Sequence, residues 1–251
     1  MKKQDRWNEI LNIVKQQQEV SVEKLMGVFN VSAATIRRDL LEMEENGMID
    51  RYHGGAKMNN SRLFEPPMLL KSNTNTEAKN MVGRYAASLV KDNQMIYIDA
   101  GSATYEMIDY ISAKNITVVT IGIHHILKLL NKGINTIVLG GSIRTSTMAI
   151  TGSLTLSELD KYYFDASFLG TNGIHEFSGL SATNEFEAAV KLKVIEHSNI
   201  SYGLADHSKF GVICPCSYTT LDKIHLITDN SGPYKGKKLP HCVEVEGLFH
   251  K

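Results

Sequence analysis

Residues 31–40 carry side chains that could contact nucleic acid. Their pattern predicts the start of a helix, because Ser32 can cap it and apolar side chains recur behind Ser32 at helical spacing. The face opposite those apolar positions, together with its flank, presents small, hydroxyl and guanidinium groups: Ala34, Thr35, Arg37 and Arg38. A helix that enters the major groove of DNA needs small residues for close approach and arginine for phosphates or guanine. An ordinary amphipathic helix with solvated arginines shows the same pattern, so this stretch leaves both interpretations open.

Residues 99–104 carry a second group of candidate functional side chains. The stretch joins a predicted strand to the N-terminus of a predicted helix and holds small and hydroxyl residues: Gly101, Ser102, Ala103 and Thr104. Unpaired backbone N–H groups, hydroxyl groups and the positive end of a helix dipole together favour a phosphate. Asp99 would repel a phosphate close to it, so we expect its carboxylate to contact a sugar hydroxyl or to hold the loop. Arg144 or Lys209 could supply the balancing positive charge, whereas a loop of this composition also serves as a plain helix cap.

Two predicted helices precede residues 31–40 and would position them. In both, apolar residues recur at i, i+3, i+4 and i+7, and Ser21 can cap the second. The apolar positions are Trp7, Ile10, Leu11 and Val14 in the first helix, Val22, Leu25, Met26 and Phe29 in the second, and Ile36, Leu40 and Met43 in the third. A four-residue gap centred on Asn30 and Val31 leads into the third helix, which should end at Asn46-Gly47. Two short helices on a tight turn predict a helix-turn-helix.

Residues 48–56 predict two short strands around a turn, which would form a wing. Four residues of this segment could lie along phosphates or in a minor groove: Arg51, His53, Gly54 and Gly55. A plain hairpin that closes the domain core is the alternative. Residues 1–57 hold nine Lys/Arg and nine Asp/Glu, although DNA-binding domains are usually basic. We therefore predict weak non-specific DNA binding, and dependence on a dimer for useful affinity.

The overall composition is that of an ordinary soluble protein, because 43% of the 251 residues are hydrophobic, 22% are charged and the formal net charge is zero. The first residues lead into no apolar run and nowhere do about 18 apolar residues follow one another, so we expect neither a secretory signal nor a membrane span. Three cysteines, an odd number, fit a reducing cytosol and predict a cytoplasmic protein. Cys214-Pro215-Cys216 with the nearby histidines matches no zinc spacing, so we expect no metal site.

The composition changes between residues 58 and 75, where polar residues and prolines without periodicity predict a linker. Part of this linker should dock, because it contains several apolar residues: Phe64, Met68, Leu69 and Leu70. From residue 76 onward, short apolar strands alternate with helices, which predicts a mostly parallel sheet covered on both faces. The predicted strands are 95–98, 116–119, 136–139, 166–169, 200–204 and 224–227. One predicted helix begins near residue 77, and the others are 103–112, 123–131, 153–161 and 184–197.

Polar or glycine-rich residues follow each of these predicted strands. They are Asp99, Thr120, Gly140 with Gly141, the run Gly170, Thr171, Asn172 and Gly173, and then Asp206 and Asp229. Ligands of open α/β sheets bind beyond the carboxyl ends of the strands, so these residues predict a polar pocket. Turns and helix caps need the same residue types, which accounts for about half of them. Glu187 and Lys191 have the spacing of a surface ion pair, and a position at the pocket mouth is the alternative.

Two sets of motifs, one in each half of the chain, have long and fixed spacing. The N-terminal set is Arg6, Ser32, Thr35-Ile36-Arg37-Arg38-Asp39-Leu40, Gly47 and Arg51-Tyr52-His53-Gly54-Gly55-Ala56. The C-terminal set is 99–104, Gly140-Gly141 with Arg144, Thr151-Gly152, 170–174, Gly179-Leu180, Glu185, Glu187-Ala188 with Lys191, and 205–210. Together they resemble the DeoR family of bacterial transcriptional regulators over nearly the whole chain.

The resemblance carries expectations of its own. It implies an effector domain similar in fold to ribose-5-phosphate isomerase, phosphorylated sugars as effectors, and a position of Glu187 and Lys191 near the effector. Two residues depart from the family pattern. Ala103 stands where a second hydroxyl residue is usual, which removes one possible phosphate donor, and Ile121 stands where an asparagine is usual.

These observations predict an N-terminal winged helix-turn-helix followed by a mostly parallel α/β sensor domain. The predicted segments are a DNA-binding domain (1–57), a linker (58–75) and an effector-sensing domain (76–251). We expect a sequence-specific transcriptional repressor of a sugar-catabolism operon that a phosphorylated sugar controls, with no cofactor, metal or catalytic residue. Its expected partners are a double-stranded DNA operator, the sugar phosphate and further copies of itself in a homodimer or homotetramer.

Two other functions stay open at this point. The first is a sugar-phosphate isomerase with an accessory N-terminal module, in which Asp99, Glu187 or Asp206 would serve as general base. The second is a winged helix that binds protein rather than DNA.

Overall fold

The computed structural model describes residues 3–45, 48–58, 65–234, 239–246 and residue 248. The chain divides into two compact units, Met1–Pro66 and Pro67–Lys251, and the division falls inside the predicted linker. The predicted helix end at Asn46-Gly47 lies outside the described residues, as do linker residues 59–64, which include Phe64.

The N-terminal unit is a winged helix. Its elements are α1 (Lys3–Gln17), β1 (Glu19–Ser21), α2 (Val22–Phe29), α3 (Ala33–Glu45), β2 (Ile49–Tyr52) and β3 (Gly55–Met58). Strands β2 and β3 form the predicted wing, and they pair with β1 in an antiparallel sheet of order β1-β3-β2. Strand β1 has only three residues, too few for a periodic pattern, and was not predicted.

Local signals explain the boundaries of these helices. Ser21 Oγ accepts the N–H of Lys24 at 3.2 Å and so caps α2 as predicted. Asn30 ends α2 in the left-handed conformation, with φ of 51°. Three residues, 30–32, connect α2 to α3, one fewer than the spacing indicated. The predicted apolar faces of α1 and α3 are confirmed, because all of the following are buried: Trp7, Ile10, Leu11, Val14, Ile36, Leu40 and Met43.

The C-terminal unit is built on a seven-stranded parallel sheet, so the predicted fold class is confirmed. The helices are α4 (Met68–Ser72), α5 (Thr76–Ser88), α6 (Ser102–Tyr110), α7 (Ile123–Asn131), α8 (Ser153–Leu159) and α9 (Glu185–Glu196). The strands of the sheet are β4 (Met95–Ile98), β5 (Thr117–Thr120), β6 (Asn135–Val138), β9 (Ala166–Gly170), β12 (Ser201–Ala205), β14 (His225–Thr228) and β15 (Cys242–Glu244). Their order across the sheet is β15-β14-β12-β9-β4-β5-β6.

Five further strands of the described residues lie outside this sheet, and none of them was predicted. They are β7 (Ser142–Arg144) paired with β8 (Ala149–Thr151), and β10 (Gly173–His175), β11 (Gly179–Ala182) and β13 (Cys216–Thr219) in a second antiparallel sheet. Helix α4 lies within the predicted linker. The burial of Met68 and Leu70 confirms that part of the linker docks.

Alternating residues of β4 show how the sheet positions a site. Ile96 and Ile98 pack with α5 and α6 on one face, whereas Tyr97 packs with α8 and α9 on the other. Asp99 follows two residues after Tyr97 and therefore faces α9, because side chains of a strand alternate between faces. Since parallel strands end at one edge, Asp99 lies beside the ends of β5 and β9. Side chains from α9 can reach that edge.

Candidate functional site

The N-terminal turn of α3 has an exposed polar surface. Ser32 Oγ accepts the N–H of Thr35 at 3.3 Å and lies 3.0 Å from Thr35 Oγ1, which confirms the predicted cap. Ser32, Ala34, Arg37 and Arg38 are exposed, and Thr35 is half-buried. Backbone N–H groups at a helix start, a hydroxyl pair and guanidinium groups therefore lie together on one exposed surface.

The arginines of the candidate DNA-binding surface differ in their surroundings. Within the described residues, no ion pair is recorded for Arg37 or Arg38. Arg51 instead lies 3.5 Å from Glu44 Oε2, and its backbone N–H donates to Glu44 Oε1 at 3.0 Å. Arg51 therefore also ties the wing to α3, and a phosphate would have to compete with Glu44 for it. Its contact with DNA stays a prediction.

Asp39 holds α3 against α1 through a buried ion pair. Its carboxylate accepts Arg6 Nε at 2.5 Å, Arg6 Nη2 at 3.1 Å and Trp7 Nε1 at 3.2 Å. The hydrogen bond to Asp39 raises the pKa of Arg6, against the lowering effect of burial. Neighbouring residues of α3 therefore have different roles: Arg38 faces solvent, whereas the buried Asp39 fixes the position of the helix.

The wing presents only part of the predicted DNA-contacting set. His53 and Gly54 form its exposed turn, and Gly54 has φ of +103°, a conformation that favours glycine. Gly55 is buried, and a Cβ there would lie 2.3 Å from Val20 O. Gly55 therefore serves the packing of β3 on β1, and its contact with DNA stays a prediction.

In the C-terminal unit, Asp99 and Lys191 form a buried ion pair at the ends of β4 and β9. Lys191 Nζ donates to Asp99 Oδ2 and, at 3.0 Å, to the carbonyl oxygen of Gly170. Asp99 Oδ2 also accepts the N–H of Gly170 at 3.0 Å. The side chains of Asp99, Lys191 and Glu187 are 5%, 6% and 8% exposed, which excludes the alternative of a surface pair for Glu187 and Lys191. Their contact with an effector stays a prediction.

Charge balance in this pair favours the ammonium form of Lys191. Burial alone would lower its pKa, but Asp99 and other neighbours raise the pKa above its ordinary value. An ammonium group has three N–H donors, and the described residues supply acceptors for two of them, Asp99 Oδ2 and Gly170 O. One donor is therefore left for a ligand oxygen.

The N-terminus of α6 lies against this pair. A Cβ added at Gly101, the N-cap of α6, would lie 3.3 Å from Gly170 Cα, so the two backbones are in close approach. Thr104 is buried and its hydroxyl donates to Asp99 O at 2.6 Å while accepting the N–H of Gly101 at 3.0 Å. Thr104 thus shapes the loop, and its contact with a ligand stays a prediction.

Glu187 and Arg144 meet one helical turn from Lys191. Glu187 Oε1 accepts the hydroxyl of Thr147 at 2.7 Å and lies 3.4 Å from Arg144 Nη1. Glu187 is 8% exposed and Arg144 26%. The hairpin of β7 and β8 supplies Arg144 and Thr147, so this second cluster depends on a hairpin that the sequence did not reveal.

Asp206 and Lys209 lie after β12. Asp206 Oδ1 accepts Asn75 Nδ2 at 2.9 Å and the N–H of Ser208 at 3.0 Å. Burial alone would raise the pKa of Asp206, but Lys209 and the hydrogen bonds from Ser208 and Asn75 hold it below its usual value. Asp206 is therefore ionised at neutral pH, and its carboxylate ties the loop after β12 to Asn75.

Other predicted effector residues have internal partners. Thr120 Oγ1 donates to Ile98 O at 2.6 Å, and Thr171 Oγ1 to Gly173 O at 3.0 Å. The N–H of Asn172 donates to Ser181 O at 3.1 Å. A Cβ at Gly141 would lie 2.3 Å from Thr155 Oγ1, and one at Gly173 would lie 2.5 Å from Val212 O. These residues, with the buried Ala103, build the loops around the site, and their direct contact with an effector stays a prediction.

Residues of the site that sequence patterns missed are Tyr97, His125, Thr147 and Tyr218. Tyr218 Oη lies 3.3 Å from Gly170 O, and burial raises the pKa of Tyr218 to about 12. The hydroxyl of Tyr97 is buried without a hydrogen-bond partner among the described residues. Within that part of the chain, no three His, Cys, Asp or Glu side chains are grouped as a metal site requires.

A winged helix with an exposed recognition helix, followed by a parallel α/β domain with a polar cluster at its strand ends, defines a DNA-binding transcriptional regulator with a sensor domain. Residues 6–62 match the DeoR-like helix-turn-helix domain, and residues 74–230 match the DeoR C terminal sensor domain. The chain belongs to the DeoR family of transcriptional regulators, which confirms the resemblance of its motifs.

Individual relatives cover nearly the whole chain. It is 40% identical over 229 residues to the uncharacterized HTH-type transcriptional regulator FruR of Bacillus subtilis (strain 168), over 90% of this chain and 91% of FruR. It is 35% identical over 214 residues to the glycerol-3-phosphate regulon repressor of Escherichia coli (strain K12), over 84% of each protein. Ribose 5-phosphate isomerase A of Methanocaldococcus jannaschii is similar in structure over 55% of each chain, with a TM-score of 0.41 and 19% identity. None of the described helices is both long and apolar enough to cross a membrane.

Proposed function

We propose that this protein represses a sugar-catabolism operon and that a phosphorylated sugar bound in the C-terminal unit controls its affinity for the operator. The observation that carries the effector proposal is the buried cluster of Asp99, Lys191 and Gly170 against the N-terminus of α6. Such a cluster combines a spare ammonium donor with free N–H groups at a helix start, which suits a ligand that has both a phosphate and hydroxyl groups. The name of the glycerol-3-phosphate regulon repressor, which includes a phosphorylated polyol, supports this assignment.

In the proposed complex, each cluster has a separate task. The phosphate lies at the N-terminus of α6, against the backbone N–H groups of Ser102 and Ala103 and the hydroxyl of Ser102. Lys191 donates to a hydroxyl or carbonyl oxygen of the sugar. Glu187, Arg144 and Lys209 are proposed to line the rest of the site.

We propose that α3 reads the operator in the major groove, with the wing turn along the adjacent backbone. A two-fold homodimer, or a homotetramer built from such dimers, would place two recognition helices on paired half-sites. A dimer also compensates for the neutral charge of residues 1–57, because weak single contacts add when both half-sites are occupied.

The first prediction concerns the phosphate. In titration calorimetry with a panel of pentose and hexose phosphates, at least one sugar phosphate is expected to bind about 100-fold more tightly than its unphosphorylated parent. Two charge-assisted hydrogen bonds at about 1.5 kcal/mol each, the lower end of their range, account for a factor of this size. Equal affinities for a sugar phosphate and its parent would refute the phosphate assignment. Turnover of the same panel by the protein would favour an isomerase over a regulator.

Effector control also needs a connection to the chain segment that leads to the DNA-binding unit, and we propose α4 for this role. The backbone N–H of Met68, the first residue of α4, donates to Ser146 O at 2.9 Å. Ser146 lies in the turn of the hairpin that carries Arg144 and Thr147 to Glu187. A ligand that displaces Glu187 would therefore shift the hairpin turn and with it the start of α4.

The second prediction tests this connection with Met68→Pro, which removes one N–H. Pro67 has ψ of 147°, a conformation that tolerates a following proline, and the first turn of a helix accepts proline. Operator and sugar-phosphate binding are expected to persist, while the ratio of operator affinities without and with effector falls from about 5- to 150-fold, the usual allosteric range, to below about threefold. Operator titrations at zero and saturating sugar phosphate measure this ratio.

Met68→Ala is the matched control, since it removes the buried side chain but keeps the N–H. It should retain the wild-type ratio. If Met68→Pro and Met68→Ala reduce the ratio equally, the side chain rather than the hydrogen bond couples the two ligands.

A further inference from the structure

His125 is a buried histidine that contacts the candidate phosphate loop from the neighbouring helix. It lies in the first turn of α7 and is 1% exposed. Its Nε2 atom lies 3.2 Å from the carbonyl oxygen of Gly101 and 3.2 Å from Thr104 Oγ1. Gly101 is the N-cap of α6 and Thr104 lies in its first turn. The imidazole therefore touches the loop at the two residues that set its conformation.

The partners of His125 define where its proton is. A carbonyl oxygen can only accept, so Nε2 must carry the hydrogen and donate it toward Gly101 O. Within the described residues, the other nitrogen, Nδ1, is buried and has no partner. Burial lowers the pKa of His125 to about 4, against the raising effects of Asp99 and the Gly101 carbonyl. At neutral pH the ring is therefore an uncharged donor.

Gly122 makes room for this ring. A Cβ at residue 122 would lie 2.4 Å from His125 Nδ1 and 3.1 Å from Ala100 Cα. The ring of Tyr105 packs edge-on against His125 from the α6 side, with ring centroids 5.4 Å apart. The imidazole is thus confined on two sides, and its Nε2 has little freedom to leave the loop.

The contact with Gly101 has a consequence for the next residue. In a trans peptide, the carbonyl of one residue and the N–H of the next point in opposite directions. When His125 and the N–H of Tyr105, at 2.9 Å, hold the Gly101 carbonyl, the Ser102 N–H is directed out of the N-terminus of α6. That N–H has no acceptor recorded in the described part of the chain.

We propose that His125 is a positioning residue of the effector site, which holds the Gly101–Ser102 peptide so that the Ser102 N–H points at the phosphate of the ligand. The proposal rests on the proposed function, because it assumes an anion at the N-terminus of α6. It differs from a direct role, in which a protonated histidine would attract the phosphate by charge. The charged groups around His125 are Asp99 and Lys128, and the neighbouring His124 is the third titratable group.

The test uses sulfate, a dianion throughout the range from pH 6 to 8, as the probe. Its binding is followed by the amide resonance of Ser102 in the full-length protein labelled with ¹⁵N-serine. His125→Leu removes the donor and is expected to weaken sulfate binding about tenfold, the effect of one hydrogen bond at about 1.4 kcal/mol. His125→Gln carries an amide N–H at the position of Nε2 and should restore most of the affinity. His124→Leu, at the exposed neighbour, is the matched control and should bind sulfate as the wild type does.

Three outcomes would overturn the proposal. If sulfate leaves the Ser102 resonance of the wild type unchanged, the assumed anion position fails and the proposal fails with it. If the wild type responds but His125→Leu binds sulfate equally well, the positioning role alone is wrong. If the difference between wild type and His125→Leu grows as the pH falls from 8 to 6, the histidine acts by charge, whereas positioning by a neutral ring predicts a constant difference.

Discussion

Replacing Arg38 with alanine is expected to remove operator binding at protein concentrations near the wild-type dissociation constant, and to leave sugar-phosphate binding intact. Arg38 is exposed, lies on the outer face of α3 and has no ion pair within the described residues. A bidentate contact from arginine to guanine is worth about 1–3 kcal/mol, so two copies in a dimer change the affinity by about 30-fold to 10⁴-fold. Because Arg38 has no ion pair within the described residues, DNA binding does not have to break an internal contact of this side chain.

Footprinting on the DNA upstream of the gene measures the loss of operator binding in Arg38→Ala. Calorimetry with the sugar phosphate that the wild type binds measures whether effector binding is retained. Arg51→Ala is the matched control. Because Arg51 already pairs with Glu44, its replacement should weaken operator binding much less than that of Arg38. Loss of both DNA and sugar-phosphate binding in Arg38→Ala would indicate misfolding instead. A blank footprint with the wild type would favour a winged helix that binds protein.

Salt dependence separates two roles for Arg38. If it contacts only phosphate, its replacement weakens binding to all DNA sequences alike and reduces the salt slope by about one for each phosphate that is no longer neutralised. If it reads guanine, discrimination at one position of each half-site is lost instead. We expect the second result, since Arg38 lies in the N-terminal half of α3 and recognition helices present their N-terminal residues to base edges.

Sequence patterns predicted most helices and strands, because these elements form in response to residues that are only a few positions apart in the chain. Apolar spacing within α1 and α3 and short apolar runs in the parallel strands are both visible over a few residues. The Arg6–Asp39 ion pair joins residues 33 positions apart, and no local pattern connects them. The hairpin of β7 and β8 was missed because its strands are only three residues long.

The sequence indicated those residues of the candidate site that follow directly after strands, but not those that tertiary packing brings in. The rule that ligands bind beyond strand ends selects Asp99 and Gly170, and the structure brings both to Lys191. The spacing of Glu187 and Lys191 is the same for a surface pair and for a buried site, and only tertiary packing decides between the two. His125 carries no sequence signal, because its role depends on contacts with a different helix.

Replacing Lys191 with methionine is expected to lower the free energy of unfolding of the C-terminal unit by about 3–5 kcal/mol and to abolish sugar-phosphate binding. The reason for the first effect is that Asp99 stays buried after its cation is removed, and breaking a buried ion pair from one side has a cost of this size. The second effect follows from the loss of the spare ammonium donor and of the link between β4 and β9.

The pH dependence of this prediction follows from the raised pKa of Lys191. A group whose pKa is higher in the folded state contributes stability that is fully present below its unfolded value, about 10.4 for lysine. That contribution is lost only as the pH rises through the folded value. The contribution of Lys191 to the stability of the wild type is therefore expected to be the same at pH 6 and pH 9.

Urea unfolding can follow the two units separately, because Trp7 is the only tryptophan of the chain and reports on the N-terminal unit. Circular dichroism should show an earlier transition in Lys191→Met while the Trp7 fluorescence transition is unchanged. Lys193→Met is the matched control on α9, because Lys193 pairs with the exposed Asp160. This substitution should lower the free energy of unfolding by only about 0–1 kcal/mol. Adding Asp99→Asn to Lys191→Met removes the unpaired charge and should restore most of the stability but not the binding. If Lys191→Met is no less stable than Lys193→Met, the Asp99–Lys191 ion pair does not stabilise the ends of β4 and β9. In that case this ion pair would not be what holds the effector site together.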